Sequence, residues 1–262
     1  MKNQTNPSIV RLWRGIVGCA GFLLLWEALP ALGVVDPYYL PPPSVITSSL
    51  SEEFGQGIFW TSLANTIVTW CVGLIIALVV GGVLGIAIGT LPTLRNIASS
   101  TIEFLRPIPS VALIPLLVLL MGTGRPATLT LVVYASLWQM LVQLSYGVQD
   151  VDPVARGTAQ VYRFRSWSVI RHVVWPTVLP YALTGFRLAA AVALTLTITG
   201  ELLIGTPGLG RLVINAQSAG DFPRMYGLIV VVGVLGVLVN QFARRLERHF
   251  LSWHPSVRLE AP

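Results

Sequence analysis

Charged residues are scarce in this sequence. Aspartate, glutamate, lysine and arginine make up 11% of the 262 residues, hydrophobic residues make up 54%, and the mean hydropathy is +0.72. Several apolar runs are about 20 residues long, which is the length that crosses a bilayer as a helix. No segment resembles a soluble domain, and the composition is typical of a polytopic membrane protein.

Nucleic acid is not an expected partner, although the formal net charge is +6. The 17 basic residues are scattered between apolar spans, without the basic and aromatic platform that binds nucleic acid. Membrane lipid with anionic head groups is the simpler partner for this charge.

Groups suited to catalysis or metal binding are equally few. The two cysteines, Cys19 and Cys71, fall in apolar runs and have no spacing that suggests a disulfide framework or a metal site. The three histidines lie outside the predicted spans, and no G-x-x-x-x-G-K-[ST] phosphate loop occurs. We therefore predict no catalytic, cofactor-binding or metal-binding residues and no enzyme activity on this chain.

The apolar runs predict six transmembrane helices, over residues 12–34, 62–90, 104–122, 127–148, 177–203 and 225–243. Lysine and arginine favour cytoplasmic loops. A cytoplasmic N-terminus leaves only Arg125, Arg211 and Arg224 in the outside loops. The predicted fold class is an all-α, multi-pass membrane protein with six transmembrane helices and cytoplasmic N- and C-termini.

Two spans have unusual sequences. Span two carries a small residue at every fourth position, which predicts close packing against another helix. Span three contains three prolines, and we expect it to be kinked because proline leaves carbonyl groups without a partner. The small residues are Gly73, Ala77, Gly81, Gly85 and Gly89, and the prolines are Pro107, Pro109 and Pro115.

A basic loop joins spans four and five. Asp152 is a typical N-cap and Pro153 a typical first residue of a helix, which we expect to run to about Tyr162. Ser166 is expected to cap a second helix, and Pro176 is expected to end it. Two short helices at the membrane surface suit either anionic lipid head groups or contact with another protein.

Polar side chains inside the spans are candidates for a translocation pathway. Gln139 and Gln143 share a face of span four, and Thr195 and Thr199 share a face of span five. Glutamine and threonine also join helices in lipid, so packing is the alternative. Arg187 could offset the charge of an anionic substrate, but pairing with an acidic neighbour is the favoured role.

Several longer motifs occur in a fixed order between about residues 12 and 256. They include LLLWEALPALG (23–33), FLRPIPSVALIPLLVLLMGTG (104–124), LPYALTGFRLA (179–189) and GELLIGTPGLGRLV (200–213). In these motifs the sequence resembles the permeases of bacterial binding-protein-dependent ABC importers, in the nitrate, sulfonate and taurine branch. The basic loop is similar to their cytoplasmic coupling loop, although Gly157 and Arg163 stand where that loop has glutamate and glycine.

The resemblance implies the type I ABC importer transmembrane fold and a permease subunit in the bacterial inner membrane, which passes a small anionic solute such as a sulfonate, taurine or nitrate. The implied partners are a cytoplasmic ABC ATPase dimer that binds ATP and magnesium, a second permease subunit in a homodimer or heterodimer, and a periplasmic or lipid-anchored solute-binding protein. The alternative is a secondary transporter or channel without an ATPase partner.

The resemblance also implies three divisions. Residues 1–58 hold the cytoplasmic N-terminus, the first span and an external segment; residues 59–245 form the transmembrane domain, with the coupling loop at 150–176; residues 246–262 form a cytoplasmic tail. At Arg163, the missing glycine requires either a left-handed backbone, which costs about 1–2 kcal/mol, or a different turn. The residues expected to couple to the ATPase are Asp152, Arg156, Gly157, Thr158, Ala159, Tyr162, Arg163, Arg165, Trp167 and Pro176.

Overall fold

A computed structural model describes residues 7–251 of the protein. Residues 1–6 and most of the predicted cytoplasmic tail, 252–262, lie outside this range. The described residues form helices and no strand: α1 Pro7–Ala31, α2 Pro43–Phe54, α3 Gly57–Thr90, α4 Pro92–Leu105, α5 Ile114–Met121, α6 Arg125–Gln149, α7 Pro153–Val161, α8 Ser166–Val169, α9 Trp175–Leu203, α10 Leu209–Ser218 and α11 Phe222–Phe250.

Five helical stretches are long and apolar enough to cross a membrane: Trp13–Ala31 in α1, all of α3 and α6, the stretch Ser166–Leu203, and α11. They confirm the all-α membrane fold, with a bent helix pair as the possible sixth span. The short helices α2 and α10 lie at one end of the bundle, called here the α10 end. The short helices α4 and α7 lie at the opposite end, called the α7 end.

The third predicted span is broken rather than kinked. The stretch Pro92–Leu105 meets the stretch Ser110–Met121 at 83°. Pro107 and Pro109 lie at the break, where they remove backbone donors and disfavour the helical conformation of the residues before them. The Leu105 carbonyl, which lacks the helical donor because residue 109 is proline, accepts from the Ile108 N–H at 3.2 Å and from the Tyr134 hydroxyl at 2.8 Å.

The bundle is centred on the contact between α3 and α6. A Cβ at Gly81 would lie 2.7 Å from the Leu137 carbonyl oxygen, and one at Gly85 would lie 2.5 Å from that of Leu141. The backbones are therefore closer than any side chain larger than hydrogen allows at these positions. This confirms the close packing predicted from the small residues of span two, since lipid offers helices no hydrophobic drive to associate and packing must supply it.

Polar contacts help to attach the first two helices to the bundle. Only 6% of the α1 span is buried. The Glu27 carboxylate accepts hydrogen bonds from the hydroxyl and the backbone N–H of Ser44, at 2.6 and 3.1 Å, and so fixes the start of α2 to α1. In turn, the buried carboxylate of Glu53 forms an ion pair with Arg224 of α11 at 2.7 Å.

The α3–α6 contact predicts a large cost for one added methyl group. We expect Gly85→Ala to lower the free energy of unfolding by about 1–3 kcal/mol, because the new Cβ would overlap backbone atoms that cannot move aside. Thermal unfolding of the purified protein in detergent measures this. Gly233→Ala in α11 is the control, since a Cβ there has no atom within 4 Å. Equal shifts of the midpoint in the two variants would contradict the packing argument.

Candidate functional site

The loop between α6 and α9 is an ordered element at the α7 end. The Asp152 carboxylate accepts a hydrogen bond from the Val154 N–H at 2.8 Å, and Pro153 is the first residue of α7. Both features were predicted, and α7 ends at Val161, one residue before the expected Tyr162. Ala159 is the buried residue of this helix, so the face of α7 that carries Ala159 is directed towards the bundle.

Arg163 has a left-handed backbone conformation. This is one of the two possibilities expected for a residue that replaces glycine here; the other was a different turn. Its φ is +56°, and it is the one non-glycine residue with positive φ among residues 7–251. The Arg163 N–H donates to the Gln160 carbonyl and the Phe164 N–H to the Ala159 carbonyl, each at 2.9 Å. This is the Schellman arrangement that ends a helix and normally uses glycine at this position.

Two expectations about the second half of the loop are wrong. Arg165, not Ser166, occupies the N-cap position, and Ser166 is the first residue of α8. Pro176 does not end a helix, because α8 continues through a π-helical turn, Ile170–Val174, into α9. Pro176 lies in the first turn of α9, and the wider π turn before it accommodates the missing proline N–H.

The loop is fixed to both spans that it joins. The Tyr181 hydroxyl of α9 donates to the Asp150 carboxylate at 2.9 Å, and the Tyr181 side chain packs on Gly147 of α6, where a Cβ would lie 2.8 Å from the Tyr181 Cβ and 2.9 Å from its ring. A buried cluster closes the junction beneath the loop: Leu144, Val148, Val151 and Val178. The end of α6 and the first turns of α9 are therefore joined where the loop begins.

Large apolar side chains are exposed along this loop. Val161 is 80% exposed, Tyr162 73% and Trp167 68%. Tyr162 and Trp167 are predicted coupling residues, and the remaining exposed residues of that set are polar, namely Asp152, Arg156, Thr158, Arg163 and Arg165. Exposed apolar groups on a capped and anchored element are typical of a surface that binds a protein partner.

The predicted pathway residues occupy two different environments. Gln139 and Gln143 of α6 are half-buried and lie against Gly185 of α9. The hydroxyls of Thr195 and Thr199 donate to carbonyls of their own helix, at 3.1 and 2.8 Å. The structure therefore brings the two glutamines to the α6–α9 contact but does not join them to the threonines.

Arg187 has an acidic neighbour. Its guanidinium lies 3.5 Å from the Glu247 carboxylate of α11. Its side chain is 39% exposed, so the pair contributes little to stability. The positive charge nevertheless has a partner, as the favoured interpretation of the sequence requires.

A buried carboxylate at the α10 end was not predicted as part of any site. Glu201, at the end of α9, is completely buried, and its Oε2 accepts from the Thr66 hydroxyl at 3.0 Å and the Gly210 N–H at 2.9 Å. The Thr66 hydroxyl oxygen accepts from the Leu209 N–H at 2.9 Å. Gly208 packs directly on the carboxyl group. The glycines that follow Glu201 in GELLIGTPGLG were the available signal, since they permit this approach.

Solved structures share this architecture. The inward-facing MetNI methionine ABC transporter superimposes with a TM-score of 0.63 at 16% identity, covering 73% of this chain and 95% of that one. An amino acid ABC transporter with histidines gives 0.58 at 20% identity, covering 76% and 97%. The fold is therefore that of the transmembrane subunits of type I ABC importers.

Sequence comparisons define the family. The family model described as binding-protein-dependent transport system inner membrane component matches residues 77–252. The taurine transport system permease protein TauC of Escherichia coli (strain K12) is 30% identical over 91% of this chain and 89% of TauC. The putative aliphatic sulfonates transport permease protein SsuC of Bacillus subtilis (strain 168) is 26% identical over 93% and 88%.

The chain belongs to the family of binding-protein-dependent transport system inner membrane components. It is a transmembrane permease subunit of an ABC importer and not an enzyme. The family, the all-helical importer fold and the membrane location were expected from the sequence, and the comparisons confirm them.

The left-handed residue of the loop generates a prediction. We expect Arg163→Gly to slow amide hydrogen exchange around residues 159–165 by about fivefold, because the relieved strain of about 1–2 kcal/mol exceeds the entropic cost of glycine, about 0.5–1 kcal/mol. Exchange measured by mass spectrometry on the purified protein is the readout. Arg165→Gly is the matched control: its backbone is extended, with φ −63° and ψ 144°, so glycine should speed exchange there. Slower exchange in both variants would contradict the strain.

Proposed function

We propose that the chain forms the membrane pathway for a small anionic solute, as half of a permease pair driven by two cytoplasmic ATPase subunits. The relatives include permeases named for taurine, aliphatic sulfonates, bicarbonate and nitrate, which share small size and negative charge or a sulfonate group. A solute-binding protein delivers the solute, and the second permease is either another copy of this chain or a different one.

One observation carries this proposal: large apolar side chains are exposed on a loop whose first residues are bonded and packed between the ends of α6 and α9. An ATPase that binds Tyr162 and its neighbours can move both spans as one body. ATP and magnesium belong to the ATPase in this arrangement. Anionic lipid alone is a weaker occupant, because lipid binding requires neither the helix caps nor the attachment of Asp150 to Tyr181.

The distribution of basic residues supports the orientation. The α7 end carries Arg95 and the arginines of the loop, whereas the α10 end carries Arg125, Arg211 and Arg224. Arg224 is neutralised by Glu53. The α7 end is therefore cytoplasmic and the α10 end faces the solute-binding protein, in accord with the preference of basic residues for the cytoplasm.

The pathway itself follows α6 and α9. Gln139 and Gln143 supply uncharged amide donors on α6, which suits passage of an anion without trapping it. The hydroxyls of Thr195 and Thr199 lie along α9, where they already donate to carbonyls of that helix. Arg187 remains beside the pathway with its charge balanced by Glu247, so it does not hold the solute by itself.

ATP-dependent uptake tests the proposal. The chain is reconstituted in liposomes with an ATPase and a solute-binding protein from the same genome, and uptake of radiolabelled taurine, an alkanesulfonate, bicarbonate and nitrate is measured. We expect uptake that requires ATP and the binding protein. Uptake that persists without the ATPase would favour the alternative, a secondary transporter or channel.

The exposed apolar side chains of the loop between α6 and α9 allow a second test. We expect Tyr162→Ala to weaken binding of the ATPase at least tenfold, because an exposed aromatic side chain at an interface typically contributes about 2 kcal/mol or more. Co-purification and ATP-dependent uptake measure the loss. Ser51→Ala, an exposed position of α2 at the opposite end, is the control. Unchanged ATPase binding by Tyr162→Ala would place the interface elsewhere.

Gly157 allows a gain-of-function test. A side chain added at this position meets no atom within 4 Å, so glutamate fits without disturbing α7. If the missing carboxylate weakens the ATPase contact, Gly157→Glu should raise ATP-coupled uptake several-fold. Gly157→Gln keeps the size without the charge and should not raise it. Equal uptake by all three proteins would show that the loop fits its ATPase without the carboxylate.

A further inference from the structure

A cavity of about 540 Å³ lies between the end of α3, the helix α4 and the second half of α6. The helix α4 starts at the α7 end, where the Arg95 guanidinium donates to the Gly89 carbonyl of α3 at 2.6 Å. The Leu105 carbonyl at the other end of α4 accepts from Tyr134, which lies near the middle of α6. Because Arg95 and Arg106 both line the cavity, it extends from the α7 end towards the middle of the bundle.

Two oppositely charged side chains line this cavity side by side. Glu103 and Arg106 are exposed and lie three positions apart at the end of α4. Their side chains form no ion pair or hydrogen bond with each other or with any other residue in the described part of the chain. The Cβ atoms of residues at this spacing lie about 5–6 Å apart on a helix. Both charges are therefore free to bind a molecule in the cavity.

The remaining lining suits the body of a small organic solute. Apolar side chains form much of the wall, among them Ile88, Leu141 and Val142. The Tyr146 hydroxyl also borders the cavity, has no partner between residues 7 and 251, and can donate a further hydrogen bond. A few polar groups on apolar walls are typical of a site for a small molecule.

The cavity shares the helix α6 with the proposed pathway. Val142 lines the cavity, and the next residue, Gln143, lies against Gly185 of α9. Glu103 belongs to the broken span, Pro92–Leu105 with Ser110–Met121, and Arg106 lies at its break. Ionisable residues within a membrane span are rare and mark substrate pathways. The two charges thus lie where a solute that follows α6 can meet them.

We propose that this cavity is a solute site that recognises a small amino sulfonate, with Arg106 binding the sulfonate group and Glu103 the ammonium group. Taurine has this form, since its two charged groups stand at the ends of a two-carbon chain, which is short enough to fit between side chains on neighbouring turns of a helix. The inference rests on the proposed function and deepens it, because it selects one class among the solutes considered there.

Glu103 is the residue that separates this class from simple anions. Nitrate or bicarbonate can pair with Arg106 but leaves the Glu103 carboxylate unpaired beside a second negative charge. An unpaired charge of this kind disfavours the wrong ligand. The permease itself, in addition to the solute-binding protein, therefore distinguishes a zwitterion from an anion.

Binding to the permease in the absence of the solute-binding protein tests the proposal. The complex of permease and ATPase in lipid nanodiscs is titrated calorimetrically with taurine and with isethionate, which has a hydroxyl in place of the ammonium group. We expect Glu103→Gln to weaken taurine binding at least tenfold and not to weaken isethionate binding, because only taurine has the cation that the carboxylate binds. Arg106→Gln should weaken the binding of both at least tenfold.

Two matched controls change the same residue types elsewhere. Glu52→Gln in α2 and Arg244→Gln in α11 are at exposed positions that do not line the cavity, and both variants should bind the two ligands as the wild type does. The ratio of the two affinities does not depend on the fraction of folded protein, so partial unfolding cannot imitate the expected result for Glu103→Gln. Equal losses of taurine and isethionate binding in that variant, or no loss in Arg106→Gln, would overturn the proposal.

Uptake measurements separate the failure of this inference from the failure of the proposed function. If the wild-type complex imports solute with ATP and the solute-binding protein while Glu103→Gln and Arg106→Gln bind taurine like the wild type, the site is refuted and the function stands. If the wild-type complex imports none of the tested solutes, the proposed function fails, and the role of the cavity as a solute site fails with it.

Discussion

The close approach of α3 to α6 is the contact on which the rest of the structure depends. Backbone atoms meet where Gly81 and Gly85 face Leu137 and Leu141, so the two helices cannot slide or rotate without large overlaps. Both functional ends are built on this pair. At the α7 end, α6 leads into the loop that carries the exposed apolar side chains. At the α10 end, Thr66 and Thr128 form hydrogen bonds with Leu209 and Thr206, between α9 and α11. Because this helix pair is closely packed, a displacement at one end of the bundle is transmitted to the other end. A loosely packed pair would deform instead.

The sequence predicts those features that depend on neighbours along the chain. The N-cap at Asp152 and the spacing of small residues in span two are local properties, and both appear in the structure as expected. For Arg163 the sequence left two possibilities, and the structure has the left-handed backbone. The spans are recognised for the same reason, because a continuous apolar run of sufficient length has few alternatives. Membership of the family follows from the order of whole motifs rather than from any one residue.

The features that escape prediction depend on distant residues. Proline normally ends a helix, yet at Pro176 a π turn lets the helix continue, and no pattern in the sequence marks such a turn. Glu201 and Thr66 are 135 positions apart, so their bond becomes visible only when the helices are placed. At the break between α4 and α5, the Leu105 carbonyl accepts from the Tyr134 hydroxyl of α6, a contact that the prolines alone do not specify.

The open space at Gly157 has a consequence for the choice of partner. An ATPase whose groove supplies an arginine for the usual glutamate would leave that arginine unpaired against this loop, and an unpaired charge in an interface disfavours the complex. The absence of the glutamate at position 157 would therefore disfavour binding of such an ATPase to this chain. The missing side chain at Gly157 would thus help this permease to avoid the ATPases of other importers.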